Sequence, residues 1–486
     1  MPKILGEYLN NVAIPMKEIF KDMAKYFPSK IFGILGNTVL IPIYTNLLSP
    51  EQYGLYTISI AVLAFLCIIF SDWVGLSGLR FFRHHEIKDE IPKYLSTLIL
   101  LLVTNISMMF MIAFIFRHNF YNFFNIPPKL FILILLLIIP VSIRALLFQI
   151  LRAQIKPSAF TISTIANQIL TIAISVFVIK VYNLGAVSIL IGMAVSISII
   201  DIVLMFQSNI FSYLKFEKIQ FNILSSLFKY GIPLAITSIS LWFITQSNKF
   251  ILQHLNGFTQ VGFVGVAYNL TFSILMTLFA IITIAAVPRI INLYEEKIDV
   301  RPIIAKLTEY FIIIALPVIV LMSLYAQDIV LLLANKKFAG AYVLVPYLAF
   351  SAFFLSLADY TTLQYHLIKK TYIDTIIRII SGITGVILNY FLIQKMGLLG
   401  VGIATLAGNF LYFLLSVLIV IPDLNWQIPY KRIIKVLLSF IPLAIVYYAF
   451  SENGFVPYGM QIVVLAIVYY LFLFALDKLF PEKAFN

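Results

Sequence analysis

One cysteine and a scarcity of charge are the first things this 486-residue chain lacks. Cys67 stands alone within an apolar run, so the chain forms no internal disulfide framework and no thiolate metal site. Asp, Glu, Lys and Arg together make up 11% of the residues, against about 25% in soluble globular proteins. A water-facing surface cannot be built from so few charges. There is no Gly-Lys-Ser or Gly-Lys-Thr phosphate loop, which removes ATP hydrolysis as a driving force. The five histidines (84, 85, 118, 254 and 366) show no metal spacing beyond the adjacent His84-His85, so neither a metal nor a cofactor is expected. No hydrophilic stretch is long enough to house a glycosyltransferase or polymerase active site, and no enzyme is predicted.

What the chain has instead is apolar length. Hydrophobic residues reach 62% and aromatics 15%, with 43 Phe and 27 Tyr. A membrane helix needs about 20 mostly apolar residues. Such runs fall at 29–48, 52–76, 94–116, 130–151, 158–180, 185–207, 230–248, 262–287, 308–327, 342–365, 372–393, 398–421, 433–450 and 457–477. The prediction is an all-α integral membrane protein of about fourteen transmembrane helices. Internal prolines (Pro42, Pro140, Pro233, Pro317, Pro346, Pro442) do not veto these spans, because neighbouring helices satisfy the freed carbonyls.

The positive charges test this segmentation. With span-end residues counted in the adjoining segment, 25 of the 34 Lys and Arg fall on the side of the N-terminus and 7 on the other. Arg144 and Arg378 lie within spans. Cytoplasmic loops accumulate Lys and Arg, so both termini are expected to be cytoplasmic. The same rule explains the net charge of +13 without nucleic acid as a partner. Residues 1–28 mix charge and apolarity and read as an amphipathic segment on the cytoplasmic surface, not a signal peptide.

The chain also repeats itself. "LLSPEQYGLYTIS" (47–59) echoes "LNGFTQVGFVGVAYNL" (255–270), matching Gln52 to Gln260 and Gly54 to Gly262 at an offset of 208. "RAQIKPSAF" (152–160) and "YNLGAVSILIGMAVS" (182–196) find counterparts in "HLIKKTYID" (366–374) and "KMGLLGVGIATLAGN" (395–409) at similar offsets. Six spans per copy make the repeats parallel, with a substrate site expected between them. The expected organisation is a segment over 1–28, a six-helix lobe over 29–210, a linker over 211–228, a second lobe over 229–427, and helices 13 and 14 with a tail over 428–486. In this reading Ser49-Pro50 closes an external hairpin, Gly54 lets helices approach closely, and Tyr53 and Tyr56 lie at the membrane interface.

Several of these stretches resemble one family. "PIYTNLLSPEQYGLY" (42–56) is similar to the first hairpin of bacterial polysaccharide transporters, the oligosaccharide-lipid flippases of the multidrug/oligosaccharidyl-lipid/polysaccharide exporter superfamily. "LRAQIKPSAF", "YGIP" (230–233), "VGFVGVAYNL" (261–270), "FAGAYVLVPYLAF" (338–350) and "GLLGVGIAT" (397–405) extend the resemblance over nearly the whole chain. Where family members often place an acidic–basic pair near the end of helix 7, this chain has Ser247-Asn248-Lys249. The resemblance implies movement of a polyprenyl-pyrophosphate-linked oligosaccharide across a bacterial or archaeal cytoplasmic membrane, by rocking of two lobes. It also implies polymerases and glycosyltransferases acting on the same lipid-linked unit.

Ionisable groups inside a membrane cost about 2.5–3.5 kcal/mol each on insertion scales and mark function by default. A pyrophosphate head calls for cations, and Arg grips phosphate oxygens in pairs. The candidates are Arg144 and Arg378 within spans, with Arg80, Arg83, Arg152, Lys249, Arg289 and Lys30 at span ends. The span-end residues have a second explanation, as snorkelling anchors that fix topology. Asp72, Asp359 and Asp201 are the candidates for ion coupling or gating. Asp374 and Arg378 stand four apart, which pairs them on one helix and would make Arg378 structural. Two other cargoes stay open. A drug exporter for organic cations should carry carboxylates in its cavity, yet residues 29–49 contain none. A peptidoglycan lipid precursor shares the anionic head and is not separated by charge.

Overall fold

The computed structural model describes residues 36, 38–154, 156–213, 221–421, 424, 426–453 and 457–480. The segment 1–28, Lys30, the first half of the first predicted span and much of the 211–228 linker lie outside these. Among the described residues thirteen helices are long and apolar enough to cross a membrane, and a shorter apolar helix, α1 (Thr38–Leu47), precedes them. This is an all-helical multi-pass membrane protein.

The helices that follow are α2 (Pro50–Ile87), α3 (Ile91–Ile115), α4 (Pro128–Ala153), α5 (Pro157–Tyr182), α6 (Ala186–Gln207), α7 (Phe221–Asn256) and α8 (Phe258–Glu295). Then come α9 (Arg301–Leu324), α10 (Val345–Leu367), α11 (Thr371–Met396), α12 (Leu398–Leu418), α13 (Tyr430–Phe450) and α14 (Tyr458–Leu479). α4, α7 and α9 run straight through Pro140, Pro233 and Pro317. α13 does not run unbroken. Its α-helical turns stop at Leu438 and resume at Phe440, because Pro442 has no N–H for the Leu438 carbonyl. At the break the Ser439 N–H and hydroxyl both donate to the Lys435 carbonyl, at 3.0 and 2.8 Å.

Helix α2 contains a feature that composition does not announce. Ile68–Asp72 forms one π turn between two α-helical stretches. Such a turn widens the helix by a residue and recurs at functional positions. Trp73 anchors it by donating its indole N–H to the Ile69 carbonyl at 2.9 Å.

Two compact units emerge from the packing. Among the described residues one, called here the N-terminal unit, lies within Val39–Val266 and Val386–Val401; the other, the C-terminal unit, lies within Ala267–Gly385 and from Gly402 onward. Their boundaries fall inside α8, α11 and α12, and α7 belongs with the N-terminal helices. The N-terminal core joins Trp73, Tyr94, Leu146, Leu204 and Leu227 from α2, α3, α4, α6 and α7. α7 is stitched to α2 by the Trp242 indole on the Ala61 carbonyl (2.9 Å) and the Ser77 hydroxyl on the Leu227 carbonyl (3.3 Å).

The C-terminal core centres on Phe311, Phe353 and Tyr360, with Leu443, Leu465 and Tyr469 brought in by α13 and α14. A buried ionic network ties these last two helices to α9. Glu309 faces Lys306 at 2.8 Å and Arg432 at 3.2 Å. Asp477 faces Arg432 and, at 3.0 Å, Lys435. At the start of α9, Arg301 grips Asp299 with bonds of 2.8–3.1 Å, which holds that carboxyl below its usual range.

Tyr53 and Tyr56, expected at the membrane interface, pack among the helices. Tyr53 is buried, Tyr56 is half-buried, and the two rings meet edge-on at 5.7 Å. Helix packing holds both rings.

Candidate functional site

Apart from the ionic network of α9, α13 and α14, the candidate charges inside the helices include two clusters, one in each unit. In the N-terminal unit α4 carries Arg144 and α6, packed against it, carries Asp201. Asp201 is 3% exposed, and neither carboxylate oxygen has a hydrogen-bond donor among the described residues. Arg144 is within electrostatic reach of Asp201 and Cys67, yet no carboxylate among the described residues is close enough to form an ion pair with it. The neighbourhood is short of partners. Two residues before Arg144, the buried Ser142 hydroxyl has no partner among the described residues other than the Cys67 thiol.

Helix α5 adds a further acceptor. Thr171 meets Ser196 at 2.5 Å, and Ser175 packs on Gly192. One antiparallel turn further, this register sets Asn167 level with Ile200 and Asp201. The Asn167 carbonyl oxygen is likewise buried without a donor. Asp72 closes the π turn of α2, half-buried, with the Ser71 hydroxyl at 3.5 Å. A guanidinium offers five donors, and here no carboxylate occupies them.

The C-terminal unit shows the opposite arrangement. Arg378 on α11 donates to Asp359 of α10 at 2.6 Å and to Asp374 one turn earlier at 3.1 Å. Its guanidinium stacks 4.6 Å from the Tyr412 ring centre, and the Tyr412 hydroxyl donates to Asp374 at 2.7 Å. His366 approaches the other Asp374 oxygen at 3.2 Å. Arg378 and Asp359 are therefore members of one closed network. Sequence spacing exposes the Asp374–Arg378 step; Asp359, Tyr412 and His366 join it only through helix packing.

The remaining described candidates stand on α2, α4, α7 and α8. α2 continues past the predicted span end, so Arg80 and Arg83 are exposed on its last turns, with Arg83 paired to Glu86. Arg152 is exposed and donates to Gln149 at 3.2 Å. Lys249 is half-buried on α7 and donates to Gln246 at 2.6 Å. Arg289 is half-buried on α8. Gln364, Asn409 and Tyr365 are engaged between α10 and the α12 region. Gln364 accepts from the Ile421 N–H at 3.1 Å, Asn409 donates to the Ser351 hydroxyl at 2.7 Å, and Tyr365 donates to the Ile419 carbonyl at 2.6 Å. No group of His, Cys, Asp and Glu suited to a metal occurs among the described residues.

Apolar helices gathered in two compact units, each with charges held inside it, define a multi-pass membrane protein whose fold is shared with solved transporters. The chain is similar to a solved lipid II flippase, MurJ, in an inward closed conformation. The two share 19% identity with a TM-score of 0.74, over 96% of this chain and 100% of that one. It is also similar to an inward-facing multidrug resistance transporter of the MATE family, at 14% identity and a TM-score of 0.65, over 80% and 93% of the two chains. The same comparison with an outward-facing MATE transporter gives 15% identity and a TM-score of 0.52, over 84% and 94%. No curated protein matches the chain. The family described as polysaccharide biosynthesis protein matches residues 43–343, and the chain belongs to it.

Proposed function

We propose that the protein is a flippase that moves a polyprenyl-pyrophosphate-linked oligosaccharide from the cytoplasmic to the outer leaflet for surface polysaccharide synthesis. The observation that carries this reading is Arg144, an arginine inside the membrane region of a polysaccharide biosynthesis protein whose donors no carboxylate has claimed. An intramembrane cation is expensive to keep and is retained where it meets an anion. A pyrophosphate supplies that anion, and its oxygens match the guanidinium fork. The polyprenyl tail stays in lipid while the head crosses.

The protein sits in a bacterial or archaeal cytoplasmic membrane with both termini inside and works by alternating access of its two six-helix lobes. Asp72, Asp201 and Asp359 are its coupling groups, and no hydrolytic step drives it. Polymerases and glycosyltransferases share its lipid-linked substrate. A multidrug exporter fits less well, since residues 29–49 hold no acid for a cationic cargo. A lipid II flippase shares the fold and the anionic head. The polysaccharide family match favours the oligosaccharide.

The test is a deletion strain in which the leaflet of polyprenyl-linked oligosaccharides is read with a membrane-impermeant glycosidase. Build-up on the cytoplasmic face, reversed by the intact gene, is the expected result. A normal distribution together with changed sensitivity to cationic dyes would replace the flippase with a drug exporter.

A further inference from the structure

The internal repeat has a physical consequence at the start of α2 and α8. A Cβ placed on Gly54 would collide with the backbone carbonyl of Phe258 and crowd the Gly262 nitrogen; a Cβ on Gly262 would collide with the carbonyl of Pro50 and crowd the Gly54 nitrogen. The contact is reciprocal, and each partner stands 208 residues from its counterpart, Pro50 to Phe258 and Gly54 to Gly262. The two copies of the repeat thus meet backbone to backbone about a local two-fold axis.

Each side is locally fixed. Ser49 caps α2 by accepting from the Gln52 N–H at 3.2 Å. Its counterpart Gly257 enters α8 with φ of 83°, a conformation that disfavours any other residue. Gln52 in turn accepts from the Ala186 N–H at 2.9 Å, tying the seam to the start of α6. One turn deeper, Gly265 lies against Tyr53 and Thr57, both buried.

We propose that this paired-glycine seam is a latch of the transport cycle: it is closed in the state seen here, and opening that face of the membrane requires Gly54 and Gly262 to part. The proposal rests on the alternating-access reading above. Two smooth backbones part and rejoin without withdrawing interlocked side chains, each atom pair contributing only about 0.1–0.2 kcal/mol of dispersion. The closed state alone forbids a Cβ, so an added methyl selects against that state and not against the helices. Gly→Ala inside a helix favours the helix by about 1 kcal/mol, which removes local unfolding as the cause of an effect.

The experiment uses full-length protein in proteoliposomes with Cys67→Ala and a reporter at Thr57→Cys, labelled by a membrane-impermeant maleimide from either face. With both glycines present, labelling is slow and confined to the face where the α1–α2 turn emerges. Gly54→Ala and Gly262→Ala each raise its rate at least tenfold and lower leaflet transfer by a similar factor. Gly459→Ala, where nothing stands within 4 Å of an added Cβ, changes neither. Unchanged labelling in either seam variant overturns the latch, even if transfer falls. Should the variants not accumulate, the native-glycine reporter decides alone, since complete protection during continuing transfer shows that the seam does not part. Labelling needs no substrate. A seam that opens in a protein moving no lipid-linked sugar therefore upholds the latch and defeats the flippase reading.

Discussion

Arg378 in the C-terminal unit and Arg144 in the N-terminal unit present the same cation to the same kind of helical interior. Arg378 is held by Asp359, Asp374 and the Tyr412 ring. Arg144 has an acid in electrostatic reach, but Asp201 makes no ion pair with it. One arginine cross-links α10, α11 and α12; the other keeps its donors for something that is not a carboxylate of this chain. The difference teaches that depth in the membrane does not by itself identify a functional charge. What separates the two is whether the protein has already supplied the counter-charge.

The sharpest way to break this comparison is to remove each cation in turn. Arg144→Gln is expected to abolish leaflet transfer of the lipid-linked sugar while the protein still inserts and keeps its thermal midpoint, because no ion pair is lost. Impermeant-glycosidase accessibility with a membrane-level immunoblot checks this. Transfer above a tenth of normal would remove Arg144 from the path of the head group.

Arg378→Gln is expected to act first on stability. Taking one member from a buried ionic cluster typically costs about 3–5 kcal/mol, because the remaining charge is left uncompensated. Two carboxylates would be stranded here, partly relieved by His366 and the exposed fraction of Asp359. A loss near the lower end, about 3 kcal/mol, should appear as a lower unfolding midpoint in detergent. Asp359→Asn leaves Arg378 its bond to Asp374 and so should unfold near the normal midpoint. That variant therefore isolates the coupling role, with a flattened dependence of transfer on the proton gradient. An unchanged gradient dependence would leave Asp359 a structural partner of Arg378 alone.

The sequence makes some of this legible and hides the rest for physical reasons. Long apolar runs locate the spanning helices well, since a bilayer sets their length. Where helices end is less visible. α2 continues through "RFFRHHEI" to Ile87 although the apolar window closes earlier, because backbone hydrogen bonds do not depend on hydropathy. The π turn at Ile68–Asp72 carries no Gly or Pro to betray it. The Asp374–Arg378 pair is readable as an i, i+4 step. Asp359, nineteen residues away from Arg378, is not. The match of Gly54 with Gly262 is visible as a repeat, but that the two copies touch requires the fold. Tyr53 and Tyr56 fit an interfacial belt by composition and turn inward by packing.

The smallest expected effect sharpens the comparison at its other end, the flanking cations. Arg83 is 77% exposed and among the described residues pairs with its helix neighbour Glu86, and exposed pairs of that kind contribute about 0.2–1 kcal/mol. Arg83→Gln should shift the unfolding midpoint by little and leave transfer within twofold of normal. Arg152, exposed beside Gln149, should behave alike. If both variants transfer normally while Arg144→Gln does not, the flanking charges serve topology and the functional charge is the half-buried Arg144, which no carboxylate pairs. If Arg83→Gln instead raises the substrate concentration needed for half-maximal transfer, the head group is first captured at the membrane surface. The N-terminal unit would then carry two successive cationic stations, with Arg144 as the second.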